Sequence, residues 1–255
     1  MANNVIMLPT RDSLKRKLPG NDKVFSLLEL LTLNIDKWDD SFQGDTLHGG
    51  YQSTASGAGS AAAAIVEGTV GGIVRLVTGT ADAGRSDLSL GLHYRGNLNA
   101  VVAVRIQVDV ITSLKIEVGF TDVVSGTDAG AVDLKATPSF NATNCALWIL
   151  DTNDNAYWEG VAAQAGAAAT TVEAAISPTA AEWEWLIVAL KDTAAKYIRL
   201  NGDGEKSYES DWQTSAMTAA TNLTPWVFAQ ARTGSASKNV DIDRIICWQR
   251  MSTGS

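Results

Sequence analysis

Two pairs of carboxylates stand two positions apart in strand-like stretches, Glu182 and Glu184 in "EWEW" and Asp241 and Asp243 in "VDIDR". On a strand, that spacing places both acids of a pair on one face. Glycoside hydrolysis needs such an arrangement, because one carboxyl protonates the leaving oxygen while another attacks or activates water. The alternation of Val240 and Ile242 with Asp241 and Asp243 is also the pattern of any half-solvated strand. His48 and His93 are the only histidines. His93 falls on the polar side of an alternating run, and His48 falls in the turn-like "TLHGGY". Neither accompanies a nucleophile elbow or a metal-ligand spacing. "DTNDNA", starting at Asp151, opens like a calcium loop. Ala156 stands where the loop needs Gly, and Ala162 where it needs a terminal Glu, so a hairpin turn is the expectation. The two cysteines, Cys145 and Cys247, each lie beside a Trp in an apolar run and read as buried free thiols, with a single bridge as the alternative. No residue set predicts a cofactor or a metal, and the chain reads as non-enzymatic. Eight tryptophans are spread along it. Exposed ones would suit stacking on sugar rings and buried ones suit core or interface packing, and nothing local sorts them.

These residues sit in a 255-residue chain that is 45% hydrophobic and 19% charged, a globular composition long enough to bury a core. No apolar run has the length of a membrane span. The basic cluster Lys15–Lys17 is followed by Leu-Pro-Gly-Asn-Asp rather than by a signal-peptide core, which predicts synthesis in a cytoplasm without Sec export. The net charge of −8 argues against nucleic acid as a partner. It is unevenly distributed. Arg11, Lys15, Arg16 and Lys17 against Asp12 make the first 20 residues +3, leaving −11 for the remainder. A basic arm on an acidic body suits docking onto something acidic.

Residues 1–35 are expected to form an N-terminal arm and residues 36–255 one β-sandwich. In the arm, "DKVFSLLELLTLNI" fits a helix with Phe25, Leu28 and Leu31 on one face, and also fits a strand. Beyond Asp36 the chain is a series of short alternating runs. "DLSLGLHY" points Leu88, Leu90, Leu92 and Tyr94 one way, and "AVVAVRIQVDVI" does the same with Val104, Ile106 and Val108. "SLKIEVGF" follows after a short break that suits a hairpin, with Ile116, Val118 and Phe120 in register. Further strands are expected at "CALWILD", "AYWEGVA", "EWLIVAL", "KYIRLNG", "WVFAQAR" and "NVDIDRIICWQ". "DTNDN" and "NGDGE" supply turns, and the small-residue tracts "ASGAGSAAAA" and "AAQAGAAAT" read as loops. The expected core also takes in Leu147, Ile149, Leu186, Val188, Ile242 and Ile245. Many short strands with almost no helical pattern predict an all-β, two-sheet antiparallel jelly-roll sandwich with a short N-terminal arm.

Three stretches resemble a known group. "DKWDDSFQGDTL" resembles the opening of domains in which a similar acidic stretch precedes the first sandwich strand. "VRIQVDVITSLKIEVGFTD" resembles paired strands of tailed-phage virion proteins, and "VDIDRIICWQ" the closing strand of concanavalin A-like, laminin-G-like domains. Enzymes of that fold carry a strand motif with a third acid, which neither carboxylate pair here has. The resemblance implies a virion structural protein made in the host cytoplasm: a capsid decoration or cement protein, or a head-fibre-base subunit, forming a homotrimer. It would attach to the capsid shell protein through Arg11, Lys15, Arg16, Lys17, Phe25, Leu28 and Leu31, without membrane or nucleic acid. The alternative is an adhesin that binds a host surface glycan.

Overall fold

A computed structural model describes residues 35–69, 71–124, 130–169, 171–232 and 236–251. In chain order the strands are β1 (Ile35–Asp40), β2 (Ala55–Ser56), β3 (Ala61–Ile65), β4 (Val74–Val77), β5 (Arg85–Ser89) and β6 (Val101–Val108). Then come β7 (Leu114–Thr121), β8 (Val132–Leu134), β9 (Ser139–Phe140), β10 (Cys145–Asp151), β11 (Asn155–Gln164) and β12 (Ala167–Ala168). The last are β13 (Val172–Glu173), β14 (Trp183–Lys191), β15 (Ala194–Asn201), β16 (Lys206–Glu209), β17 (Thr224–Ala231) and β18 (Asn239–Arg250). The helical element among the described residues is one 3-10 turn, Gly96–Leu98. No helix there is long and apolar enough to cross a membrane. The arm residues Arg11, Lys15, Arg16, Lys17, Phe25, Leu28 and Leu31 lie outside the described residues.

The strands build two large antiparallel sheets. Sheet A runs β16-β15-β14-β6-β18-β4-β3, with β1 also on β18, and sheet B runs β12-β11-β10-β7-β17-β5-β2, with β13 on β11. The protein is therefore the expected all-β sandwich. Its main core lies between the sheets, where Val104, Ile106 and Val108 of sheet A meet Ile116, Val118 and Phe120 of sheet B. Two buried aromatics satisfy their polar ends across this layer: Trp148 Nε1 donates to the Ile187 carbonyl at 3.1 Å, and Tyr197 Oη donates to the Val161 carbonyl at 2.7 Å. Both turns expected from "DTNDN" and "NGDGE" close hairpins, β10–β11 and β15–β16.

Several local expectations fail for identifiable reasons. The break between β6 and β7 is not a hairpin. β6 belongs to sheet A and β7 to sheet B, so residues 109–113 carry the chain across the sandwich, with Ser113 in the left-handed region (φ 51°). The alternation from Leu88 ends early, because β5 stops at Ser89 and Gly91 takes φ 88°. Leu90 is then half-buried and Leu92 is 44% exposed. Leu147 and Ile149 are buried together, but on the outer side of sheet B, while Ala146, Trp148 and Leu150 face the other sheet. Ile245 reaches the main core only because the register of β18 shifts between Ile242 and Arg244, an extra residue that reverses the parity. "DKWDD" does not precede the first strand but lies within it. The small-residue tracts are edge strands as well as loops: β2 and β3 in one, β12 in the other. Ladder bonds need only backbone, and small side chains permit close approach. A Cβ on Gly79 would come within 2.3 Å of the Ser60 nitrogen.

Candidate functional site

Chemistry on a sandwich sits on a sheet's outer face or at its rim. On β7 the inner positions are apolar, so Lys115 and Glu117 point outward. They do not reach water. Residues 130–144, carrying the small β8–β9 sheet, fold over this face and enclose a second core of Leu147, Ile149, Val161, Trp226 and Phe228. Glu117 is the anchor of that cover. Its Oε1 accepts from Lys115 Nζ at 3.0 Å and the Val132 N–H at 3.1 Å, and its Oε2 from the Ala131 N–H at 2.8 Å and Trp226 Nε1 at 3.0 Å. Gly130 approaches so closely that a Cβ there would stand 2.6 Å from Glu117 Oε1. Farther along the cover, Lys135 reaches Asn155 and Glu159 at the start of β11 with its side chain fully buried.

The carboxylate pairs are taken apart by the fold. Glu182 is exposed ahead of β14. Glu184 turns inward between the sheets, where it pairs with Arg199 Nε and accepts from Trp158 Nε1 at 3.0 Å. Burial pushes its carboxyl up, while Arg199 and the Trp158 indole pull it down. Asp241 and Asp243 both lie on the outer side of sheet A, each already held by an arginine. Arg75 binds Asp241 with two bonds of 2.7 Å, and Arg105 pairs with Asp243. In the Asp151 turn, Arg232 occupies both Asp151 oxygens, and Lys135 occupies Asn155 Oδ1 at 2.6 Å. Asp151 and Asn155, two of the groups that would have to ligate calcium, are thus bound to cations of the chain itself. Among the described residues no group of three His, Cys, Asp or Glu side chains converges. His93 pairs with Asp36 at the surface, and His48 accepts from the Gly50 N–H at 3.1 Å. Cys145 and Cys247 are buried free thiols in different cores.

The tryptophans separate clearly. Trp148, Trp158 and Trp226 are fully buried, and Trp38, Trp183, Trp185 and Trp248 are half-buried. Trp212 is 41% exposed. It sits at the rim of sheet A on a loop that main-chain bonds hold to β15. Ala195 and Gln213 exchange N–H···O bonds of 3.0 and 2.8 Å, and the Ser210 N–H donates to the Tyr197 carbonyl at 2.9 Å. Lys196 Nζ lies 5.9 Å from the indole centroid and is paired with Glu209, which also binds Lys206 at 2.6 Å. Those two lysines hold the Glu209 carboxyl below its ordinary value. A rigid, exposed indole among charged donors and acceptors is the arrangement that binds an apolar ring face with a hydroxylated rim. Polar flanks in "SDWQT" set Trp212 apart from Trp148 in "ALWIL", but Trp38 in "DKWDD" shares them and is half-buried, so flanking residues alone did not single it out.

Strand order and sheet composition define a lectin-like, concanavalin A-like jelly roll. The chain resembles a protein of unknown function from Shewanella oneidensis MR-1 (18% identity over 93% of this chain and 98% of that one, TM-score 0.63). It also resembles peanut lectin (9% identity, 86% and 99% covered, TM-score 0.60). A third similar structure is arcelin-5, a lectin-like defense protein of Phaseolus vulgaris (8% identity, 86% and 99% covered, TM-score 0.58). No protein-family model matches the sequence, and no curated protein matches it.

Proposed function

We propose that the chain is a non-enzymatic carbohydrate-recognition module with Trp212 as its stacking residue. The observation that carries this reading is a large apolar ring held in solvent by a firmly bonded loop. Such a ring loses little freedom on binding and so contributes most of its contact energy. Lys196, Glu209 and Asp211 supply polar groups beside it, and the fold is shared with lectins. A screen of the protein against a panel of oligosaccharides should find a binder. Trp212→Ala should then weaken that binder by about tenfold or more, since losing a central aromatic costs about 2 kcal/mol. Trp212→Phe should recover part of the affinity. No binder, or full affinity in Trp212→Ala, would remove the assignment. The same panel should show no hydrolysis, because Glu184, Asp241 and Asp243 are held in ion pairs and Glu182 stands apart from them. Turnover abolished by changing Glu184 or Asp243 would make the protein an enzyme.

A second reading is favoured by charge. A +3 segment preceding a −11 body suits a virion subunit of a tailed phage, a decoration, cement or fibre-base homotrimer held to an acidic shell by its arm. Removal of residues 1–20 should leave the sandwich folded and weaken binding to undecorated shells. Full-length binding should fall with salt, since Arg11, Lys15, Arg16 and Lys17 act through screened charges. Equal occupancy of the two proteins on the shells would exclude this role for the arm.

A further inference from the structure

We propose that the folded chain forms an intramolecular isopeptide bond between Lys135 Nζ and Asn155 Cγ, promoted by Glu159. The three side chains meet where the cover over sheet B reaches the start of β11. Lys135 Nζ lies 2.6 Å from Asn155 Oδ1, so it needs to move only about one carbonyl bond length, roughly 1.2 Å, to face the Cγ carbon. Glu159 Oε1 stands 3.1 Å from Lys135 Nζ and 3.0 Å from Asn155 Nδ2. One carboxylate oxygen therefore touches both the nitrogen that would attack and the nitrogen that would leave. The Tyr157 N–H donates to Asn155 Oδ1 at 3.0 Å, the atom on which negative charge would develop. The Lys135 side chain has no solvent exposure, so the attacking amine is shielded from water.

The reaction balances without oxidant, metal or co-reactant. The Lys135 ammonium gives a proton to Glu159, and the free amine lone pair forms a C–N bond to Cγ as the carbonyl pair moves onto Oδ1. Glu159 then protonates Nδ2. The Oδ1 pair re-forms the carbonyl, the Cγ–Nδ2 bond breaks, and ammonia leaves. Glu159 takes the remaining proton from the new amide nitrogen and passes it to the ammonia, so that Lys ammonium plus Asn carboxamide become a secondary amide plus ammonium ion. Holding amine, amide and proton carrier in contact replaces the encounter that makes this reaction slow in free solution. The Tyr157 carbonyl at 2.9 Å and Asp154 at 3.8 Å also face Lys135 Nζ and orient it. The bond would fasten the cover to the edge of sheet B covalently.

Mass spectrometry of the full-length protein tests this. After allowance for removal of Met1, the denatured chain should weigh less than its sequence by one ammonia. A tryptic digest should contain a branched peptide joining the Lys135 and Asn155 segments, with no cleavage after Lys135. Glu159→Gln and Lys135→Arg, confirmed as folded by circular dichroism, should have the full sequence mass. Full mass in the folded wild-type protein after prolonged incubation at neutral pH would overturn the proposal. So would a loss of ammonia with linear peptides and normal cleavage after Lys135, the mark of a cyclised asparagine. Loss of ammonia from Glu159→Gln at the wild-type rate would overturn the role of Glu159.

Discussion

Glu117→Ala should destabilise the sandwich by about 4 kcal/mol or more, the range for breaking a buried ion pair with additional donors left over. The carboxylate serves Lys115, the Trp226 indole and the backbone N–H groups of Ala131 and Val132. Alanine removes every one of these acceptor contacts and leaves a void between β7 and the cover, where the surrounding backbone cannot collapse freely. Urea unfolding measures the loss, and hydrogen exchange locates it. Protection should fall first around Ala131 and Val132, whose N–H groups this carboxylate holds to sheet B. The comparison is Glu182→Ala, an exposed acid before β14 whose removal should change stability by no more than about 0.5 kcal/mol. Similar small losses in the two variants would mean that Glu117 does not anchor the cover.

Arg199→Met should have the second large effect, and this one depends on pH. Arg199 is the cation facing Glu184 between the sheets, and it also donates to the Ser177 carbonyl at 3.3 Å. Burial raises the Glu184 carboxyl from its ordinary value of 4.5, and Arg199 restrains that rise. A carboxyl raised by folding binds its proton more tightly in the folded state. Its contribution is therefore most favourable at low pH and is lost as pH climbs from 4.5 through the raised value. Methionine removes the restraint and moves that raised value higher. The variant should accordingly lose about 3 kcal/mol near pH 8 and considerably less near pH 4, where Glu184 is mostly protonated in both folded and unfolded chains. Unfolding midpoints at the two pH values decide it. A deficit that does not change with pH would mean that Arg199 acts by packing alone.

Both sites are built from charged residues in strands, and that is why they escape a local reading. "SLKIEVGF" shows apolar and polar residues in strict alternation, and the polar side of such a strand is ordinarily wet. Lys115 and Glu117 are dry because a segment beginning more than a dozen residues later folds back over them. The same holds for Glu184, whose partner Arg199 is 15 residues away on the neighbouring strand. The carboxylates singled out from spacing, Asp241 and Asp243, do share the outer side of sheet A. Their arginines, Arg75 and Arg105, come from strands 166 and 138 residues distant in sequence.

The existence of the long central strands was determined by the sequence alone, as was the class of fold, whereas the short edge strands in the small-residue tracts were not. A two-residue period is a local property, and turn chemistry at "DTNDN" and "NGDGE" is local too. Tertiary structure decided which face of each strand meets which partner. β10 is apolar on both sides, so its pattern could not say that Trp148 looks inward and Leu147 outward. Five residues between β6 and β7 are enough for a hairpin or for a crossing between sheets, and only packing of the finished layers selects the crossing. One extra residue at Asp243 reverses the parity of the rest of β18. The exposure of Trp212 and the meeting of Lys135 with Asn155 and Glu159 depend on where the chain returns in space. Periodicity records which residues avoid water along one strand, and it holds no information about what the other strands bring to cover them.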